Sequence, residues 1–159
     1  MTFDDAFTKL LGHEGGYSDN AADTGGKTMY GITETVARAN GYTGDMRALP
    51  VDVAKSIYKA SYWTPCKCDE LPDPVAFDVF DTAVNSGCAQ SIKFLQRALN
   101  IGDDGVIGPV TLKAVRSIPA YVVASRFNGQ RLDFMTRLKV WPVFGAGWAR
   151  RIASNLQGA

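Results

Sequence analysis

Histidine is almost absent from this chain. Among 159 residues there is one, His13, beside three cysteines, Cys66, Cys68 and Cys88. A Cys-x-Cys pair followed by a lone cysteine twenty residues on, with no histidine nearby, is a poor zinc pattern. The expectation is three reduced, mostly packed thiols and no metal or organic cofactor. In an oxidising compartment one disulfide, from Cys88 to Cys66 or to Cys68, is open to the chain. Long apolar runs are also missing, and no window approaches a membrane-spanning length. The first residues, MTFDDAF, carry acids where a signal peptide needs a basic region, and no long apolar stretch follows. Synthesis in a cytoplasm without a signal peptide is therefore expected. Internal repeats and low-complexity tracts are absent. Strand-like alternation is unconvincing outside residues 17–32, where a small hairpin sheet is expected.

The amount of charge is ordinary, but its distribution is uneven. Residues 1–109 hold nine Lys/Arg against fifteen Asp/Glu, whereas residues 110–159 hold eight Lys/Arg and only Asp133. A basic C-terminal third suits an anionic polymer or membrane surface, with Arg126, Arg131, Arg137, Arg150 and Arg151 as the contacts; the alternative is a set of solvated helix faces. Apolar content of 46% and charged content of 21% are those of a globular protein, and the length suits one core.

The stretch from His13 to Thr33, HEGGYSDNAADTGGKTMYGIT, interrupts helical periodicity with glycine and short polar side chains. Tyr17, Met29, Tyr30 and Ile32 give it apolar anchors, which argues for a functional segment over a disordered one. Before it, Phe3, Ala6, Phe7, Leu10 and Leu11 form one helical face behind Thr2, a plausible N-cap. Glu14 continues that face. A carboxyl at the inner end of an apolar stripe is partly desolvated, which raises its pKa and suits a general acid. The competing reading is a solvated glutamate in the helix's last turn, capped by Gly15-Gly16. Downstream, Asp23 follows Glu14 after eight residues and Thr28 follows Asp23 after four. A helix ending in an acid, then an excursion bearing Asp and Thr, can set polar groups across a cleft, as glycoside hydrolysis requires.

The remaining chain reads as helices. Thr33 caps a short helix ending at Asn40-Gly41. Leu49-Pro50 opens another, with Val51, Ala54, Ile57, Tyr58 and Tyr62 inward. Pro74 starts a helix running to about Ser86 and apolar nearly all round, the mark of a central buried helix. Its polar stripe, Asp78, Asp81, Thr82 and Asn85, either lines a cleft or is its one solvent face. Cys88, Ile92, Leu95 and Leu99 form the next seam. Asp104-Gly105 and Gly108-Pro109 are turns before a further helix. After Pro119 a long helix points Tyr121, Ala124, Phe127, Leu132, Met135 and Leu138 mostly to one side. Trp141-Pro142 breaks it, and GAGWARRIASNLQ is a last short helix.

Glu-Gly-Gly-Tyr, Asp-Thr-Gly-Gly-Lys-Thr and Tyr-Gly-Ile-Thr together resemble glycoside hydrolase family 108, the phage and bacterial N-acetylmuramidases. They are also similar to the Glu…Asp…Thr pattern of phage-type lysozymes. Asp81, Asn85 and Gly87 match a recurring Asp…Asn-x-Gly pattern of the family, and Gly147-Trp148-x-Arg150-Arg151-Ile152 its closing pattern. FLQRALN…DDGVIGPVTLKAV resembles the peptidoglycan domain attached to such enzymes. The resemblance covers nearly the whole chain. It implies a mainly α, lysozyme-like α+β fold with a small β-hairpin lobe and a helical body. It further implies a catalytic region at residues 1–87 and a peptidoglycan-domain-like region at 88–159, packed as one compact unit. The implied activity is hydrolysis of the β-1,4 bond between N-acetylmuramic acid and N-acetylglucosamine in bacterial peptidoglycan. Glu14 would be the acid, Asp23 would position or activate water, and Thr28 would help hold it. Tyr17, Tyr30, Trp63 and Asn85 are candidate sugar contacts. A monomer acting in the periplasm or at the wall, in phage lysis or secretion, with no nucleic-acid partner, completes the expectation. Its rivals are a lytic transglycosylase and a non-catalytic peptidoglycan binder.

Overall fold

The computed structural model describes residues 1–13, 16–19 and 26–158. By compactness the chain forms two units, Thr2–Ser61 and Tyr62–Ala159, the latter joined by Met1.

In the first unit, α1 (Phe3–Leu11) begins with a complete capping box. The Thr2 hydroxyl accepts from the Asp5 N–H at 3.2 Å, and the Asp5 carboxylate accepts from the Thr2 N–H at 3.0 Å. Acids in its first turn and Lys9 in its last suit the helix dipole. Phe3, Ala6, Phe7 and Leu10 are buried as their spacing requires, and the Phe7 ring lies 5.6 Å from that of Tyr58. Each large side chain so buried contributes roughly 1.5–3 kcal/mol. The helix stops at Leu11 with Gly12 as its C-cap. A three-stranded antiparallel sheet follows: β1 (Ser18–Asp19), β2 (Lys27–Met29) and β3 (Ile32–Thr33). This is the hairpin expected within residues 17–32. Thr33 then caps α2 (Glu34–Ala39), its hydroxyl accepting from the Val36 N–H at 3.2 Å. Asp45 caps a 3₁₀ turn at Met46–Ala48, and Pro50 precedes α3 (Val51–Tyr58). Ala54, Ile57 and Tyr58 are buried as expected, whereas Val51, in the first turn, is exposed. The chain leaves α3 through one π-helical turn, Lys59–Trp63.

In the second unit, α4 (Asp73–Ser86) is the central helix, with every residue from Val75 to Ala83 buried. It packs on α5 (Cys88–Ala98) and on α7 (Ala120–Thr136). Gly87 makes the corner between α4 and α5: its N–H closes α4 on the Ala83 carbonyl, at φ 85, where a side chain would be strained. The turns before α6 (Pro109–Arg116) are organised by buried Gln96. Its amide donates to Asp104 Oδ1 at 2.7 Å and the Val106 carbonyl at 3.0 Å, and its oxygen accepts from the Gly105 N–H at 2.9 Å.

Two readings of this half need correction. Tyr121, placed inward by periodicity, is exposed in the first turn of α7. Trp141-Pro142 does not break α7, which already ends at Thr136, but opens a long helix, α8 (Trp141–Gln157). Proline in a first turn lacks only an N–H that has no intrahelical partner there, so it initiates as readily as it terminates.

The α4 polar stripe is neither a cleft lining nor a solvent face. Asp78, Asp81 and Thr82 are buried, and only Asn85 is exposed. Asp81 Oδ2 accepts from Arg131 of α7 at 2.6 Å and from Asn155 of α8 at 3.2 Å; its Oδ1 accepts from Arg151 Nε of α8 at 2.8 Å. Asn128 of α7 donates to Asp78 at 2.7 Å. Burial pushes the Asp81 carboxyl up, but the charges of Arg131 and Arg151 and the hydrogen bonds they donate outweigh it, leaving it below the usual carboxylate range. Arg131 and Arg151, expected on an outward basic face, are thus consumed inside the unit. Arg126, Arg137 and Arg150 stay exposed, with Arg137 paired to Asp133 at 2.7 Å.

Candidate active site

The sheet of the first unit is the described part of the predicted site. Strand β2 lies in the middle, pairing Thr28 with Ser18 on one side and with Thr33 on the other. Tyr30 and Gly31 form the two-residue turn between β2 and β3, with φ 53 and 75. Positive φ at both positions is the type I′ pattern whose twist matches a hairpin. Glycine takes that geometry freely; Tyr30 is held in it partly by the Tyr58 hydroxyl, which donates to its carbonyl at 2.9 Å.

Thr28 is half-buried, and among the described residues its hydroxyl makes only a long contact, 3.4 Å, to the Ser18 carbonyl. A hydroxyl held that loosely retains capacity for a water or a sugar oxygen. Tyr17 stands immediately before β1, half-buried, with the Arg47 guanidinium 4.7 Å from its ring centroid. Arg47 belongs to the 3₁₀ turn capped by Asp45, and nothing in its local pattern marks it as a neighbour of residue 17. Glu14 and Asp23 lie outside the described residues. By chain order Glu14 falls between α1 and β1, and Asp23 in the connection between β1 and β2.

The two remaining candidates are in the second unit. Asn85 sits exposed in the last turn of α4, its amide donating to the Asp81 carbonyl at 2.7 Å. Trp63 has no exposed surface: its indole N–H donates to Asp69 at 2.9 Å and its ring meets Phe80 edge-on at 5.5 Å. Its candidacy as a sugar contact is corrected, because a side chain enclosed this way is core. The cysteines also converge here. The Cys66 side chain hydrogen-bonds with those of both Cys68 and Cys88, and none of the three is in a disulfide. The Cys68 contact and burial push the Cys66 thiol up to about 12, and Cys88 is raised too, first by its bond to Cys66. Both remain protonated at neutral pH, the state of packed thiols and not of thiolate ligands or nucleophiles.

The model of the family described as glycosyl hydrolase 108 matches residues 7–87, from α1 through the end of α4. The chain belongs to glycoside hydrolase family 108. It is a glycoside hydrolase that acts on peptidoglycan. The family 108 match includes Glu14, Asp23 and Thr28 as well as Asn85, and so reaches into both compact units. The solved structure of Brucella abortus SagA is similar over 98% of this chain and 91% of its own, at 33% identity and a TM-score of 0.85. That likeness carries the mainly α, lysozyme-like fold across residues 88–159 as well. None of the curated proteins compared with the chain matches it.

Proposed function

We propose that the chain hydrolyses the β-1,4 bond between N-acetylmuramic acid and N-acetylglucosamine, with Glu14 protonating the leaving oxygen. Asp23 positions or activates the attacking water, or stabilises positive charge on the sugar, and Thr28 helps hold that water. The observation that supports this reading is the order of elements: Glu14 and Asp23 occupy the two connections flanking β1, and Thr28 is the β2 residue paired with β1. Glycoside hydrolysis needs an acid and a water-handling group on opposite sides of the scissile bond. Tyr17, Tyr30 and Asn85 are the proposed sugar contacts. A 1–87 catalytic region with an 88–159 peptidoglycan-domain-like region, monomeric action at the wall or periplasm after cytoplasmic synthesis, and a setting in phage lysis or secretion belong to the same proposal. So does contact of the exposed basic residues Arg126, Arg137 and Arg150 with an anionic membrane.

Replacing Glu14 with Gln keeps shape and removes the transferable proton. General acid catalysis contributes about 10²–10⁴-fold, so Glu14→Gln is expected to lose nearly all activity on purified peptidoglycan. Its thermal midpoint is expected to equal or exceed the parent's, since a carboxyl kept for function is commonly a stability cost. Asp23→Asn is expected to lose less, because an amide oxygen still positions water. Near-parental activity in Glu14→Gln would overturn the assignment. Mass spectrometry of the products decides the chemistry: reducing muramic acid ends support hydrolysis, and 1,6-anhydro ends mean a transglycosylase.

A further inference from the structure

The start of α8 carries an apolar surface that lies apart in sequence from Glu14, Asp23 and Thr28. Val143 is 75% exposed and Phe144 52%, with Val140 exposed beside them. The Phe144 ring stacks on Trp148 at 5.8 Å, and Trp148 lies 6.3 Å from Trp141. A side chain on Gly145 would collide with the Trp141 ring, within 2.4–2.8 Å of its atoms, so that glycine is what lets the indole lie across the helix. The spacing of Trp141, Phe144 and Trp148 puts three rings along one side of the helix. Exposed aromatic and aliphatic groups gathered this way mark an interaction surface.

We infer that this aromatic tip inserts into the interfacial layer of a bilayer bearing anionic headgroups. The inference rests on the proposed membrane contact and gives it a location and an apolar component. Three observations select lipid over the other occupants. From Val140 to Ala149 the sequence is VWPVFGAGWA, and its only hydrogen-bonding side-chain groups are two indole N–H groups. A glycan site needs several placed polar groups for hydroxyls and acetamido groups; a headgroup boundary needs none, and Trp is suited to it. Lys139 and Arg150 flank the segment, both exposed, and no acid follows Asp133 in the sequence. Those cations complement anionic lipid, whereas a second copy docking by two-fold symmetry would oppose them to their own equivalents. No helix among the described residues is long and apolar enough to cross a membrane, so the contact proposed is one that lies in the interface.

The test is co-sedimentation of the whole protein with vesicles of equimolar phosphatidylglycerol and phosphatidylethanolamine, against phosphatidylcholine alone, with tryptophan emission recorded in parallel. Trp63 is enclosed and contributes a constant background, so a shift reports Trp141 and Trp148. Binding to the anionic vesicles with a blue shift is expected. Val143→Asp and the Val143→Asp/Phe144→Ser pair are expected to weaken it about tenfold or more, from lost apolar burial and added repulsion. Val110→Asp, on an equally exposed valine of α6, is expected to change nothing. Salt-sensitive binding without a blue shift, unaffected at Val143, would overturn insertion while leaving charge contact standing. No vesicle binding at all would overturn both. Self-association abolished by Val143→Asp would assign the tip to a second copy. Loss of lipid-free peptidoglycan binding in that variant would assign it to glycan. Either result would overturn the proposal, and none touches the role of Glu14, which is read on purified wall without lipid.

Discussion

The second compact unit places charge and apolarity opposite to expectation in two places. Beneath α4, Asp81, Arg131 and Arg151 are taken out of water. At the start of α8, Val143 and Phe144 are left in it. Each is tolerated for a different reason. The buried carboxylate meets two guanidiniums and an amide from helices 50 and 70 or more positions away, so the cost of desolvation is offset within the molecule. The exposed tip has no such offset, and nothing in the core needs it. The comparison teaches that a polar stripe on a helix marks a site only if its groups remain free to meet a ligand. Asp81 is fully committed to structure, whereas Thr28, with one long hydrogen bond among the described residues, is not.

The comparison breaks most visibly at Asp81. Asp81→Leu leaves Arg131 enclosed without its carboxylate, and removing one partner of a buried pair costs about 3–5 kcal/mol. Urea unfolding is expected to show that loss. Replacing Asp81, Arg131 and Arg151 together by apolar residues of similar volume is expected to recover most of it. Arg131 already keeps Nε and Nη2 without a protein partner among the described residues, so the charged cluster is not the most stable way to fill that space. A triple variant as unstable as the single one would show that the charges stabilise in their own right.

Acid sharpens the same point more mildly. The folded-state pKa of Asp81 is depressed, so its contribution is present above the unfolded value, about 3.9, and is lost as pH falls through the folded one. Stability is therefore expected to fall below about pH 4. The acid limb is expected to be shallower in Asp81→Asn, in which this group no longer titrates. Asp5, Asp103 and Asp104 are also lowered, but they lie at the surface, where solvent screens them. An unchanged acid limb in Asp81→Asn would shift the cause to other carboxylates. The smallest effect belongs to the tip: Val143→Asp is expected to stay within about 0.5 kcal/mol of the parent in stability, because an exposed side chain carries little of the fold. A larger loss would mean that Val143 is part of the core.

How much was legible followed the range of the interactions. Thr2 and Thr33 cap helices where the sequence places them, α6 follows the turn at Gly108-Pro109, and the strands lie within the one segment that broke helical periodicity. These features depend on groups within a few residues of one another. So does the burial of α4, because a helix apolar nearly all round has no water-facing alternative. The family resemblance, which the match over residues 7–87 bears out, rested on equally local runs of residues. Tertiary structure decided which polar and aromatic residues are spent on the fold. Trp63 reads like a sugar contact and is enclosed by Asp69 and Phe80. Arg131 and Arg151 read like an outward basic face and close on Asp81. Tyr121 and Val143 lie exposed on helices that bury other residues. Caps, turns and periodicity are local free-energy terms and survive in a one-dimensional reading. Burial and ion pairing depend on which distant helix arrives alongside, and that is settled only when the whole unit packs.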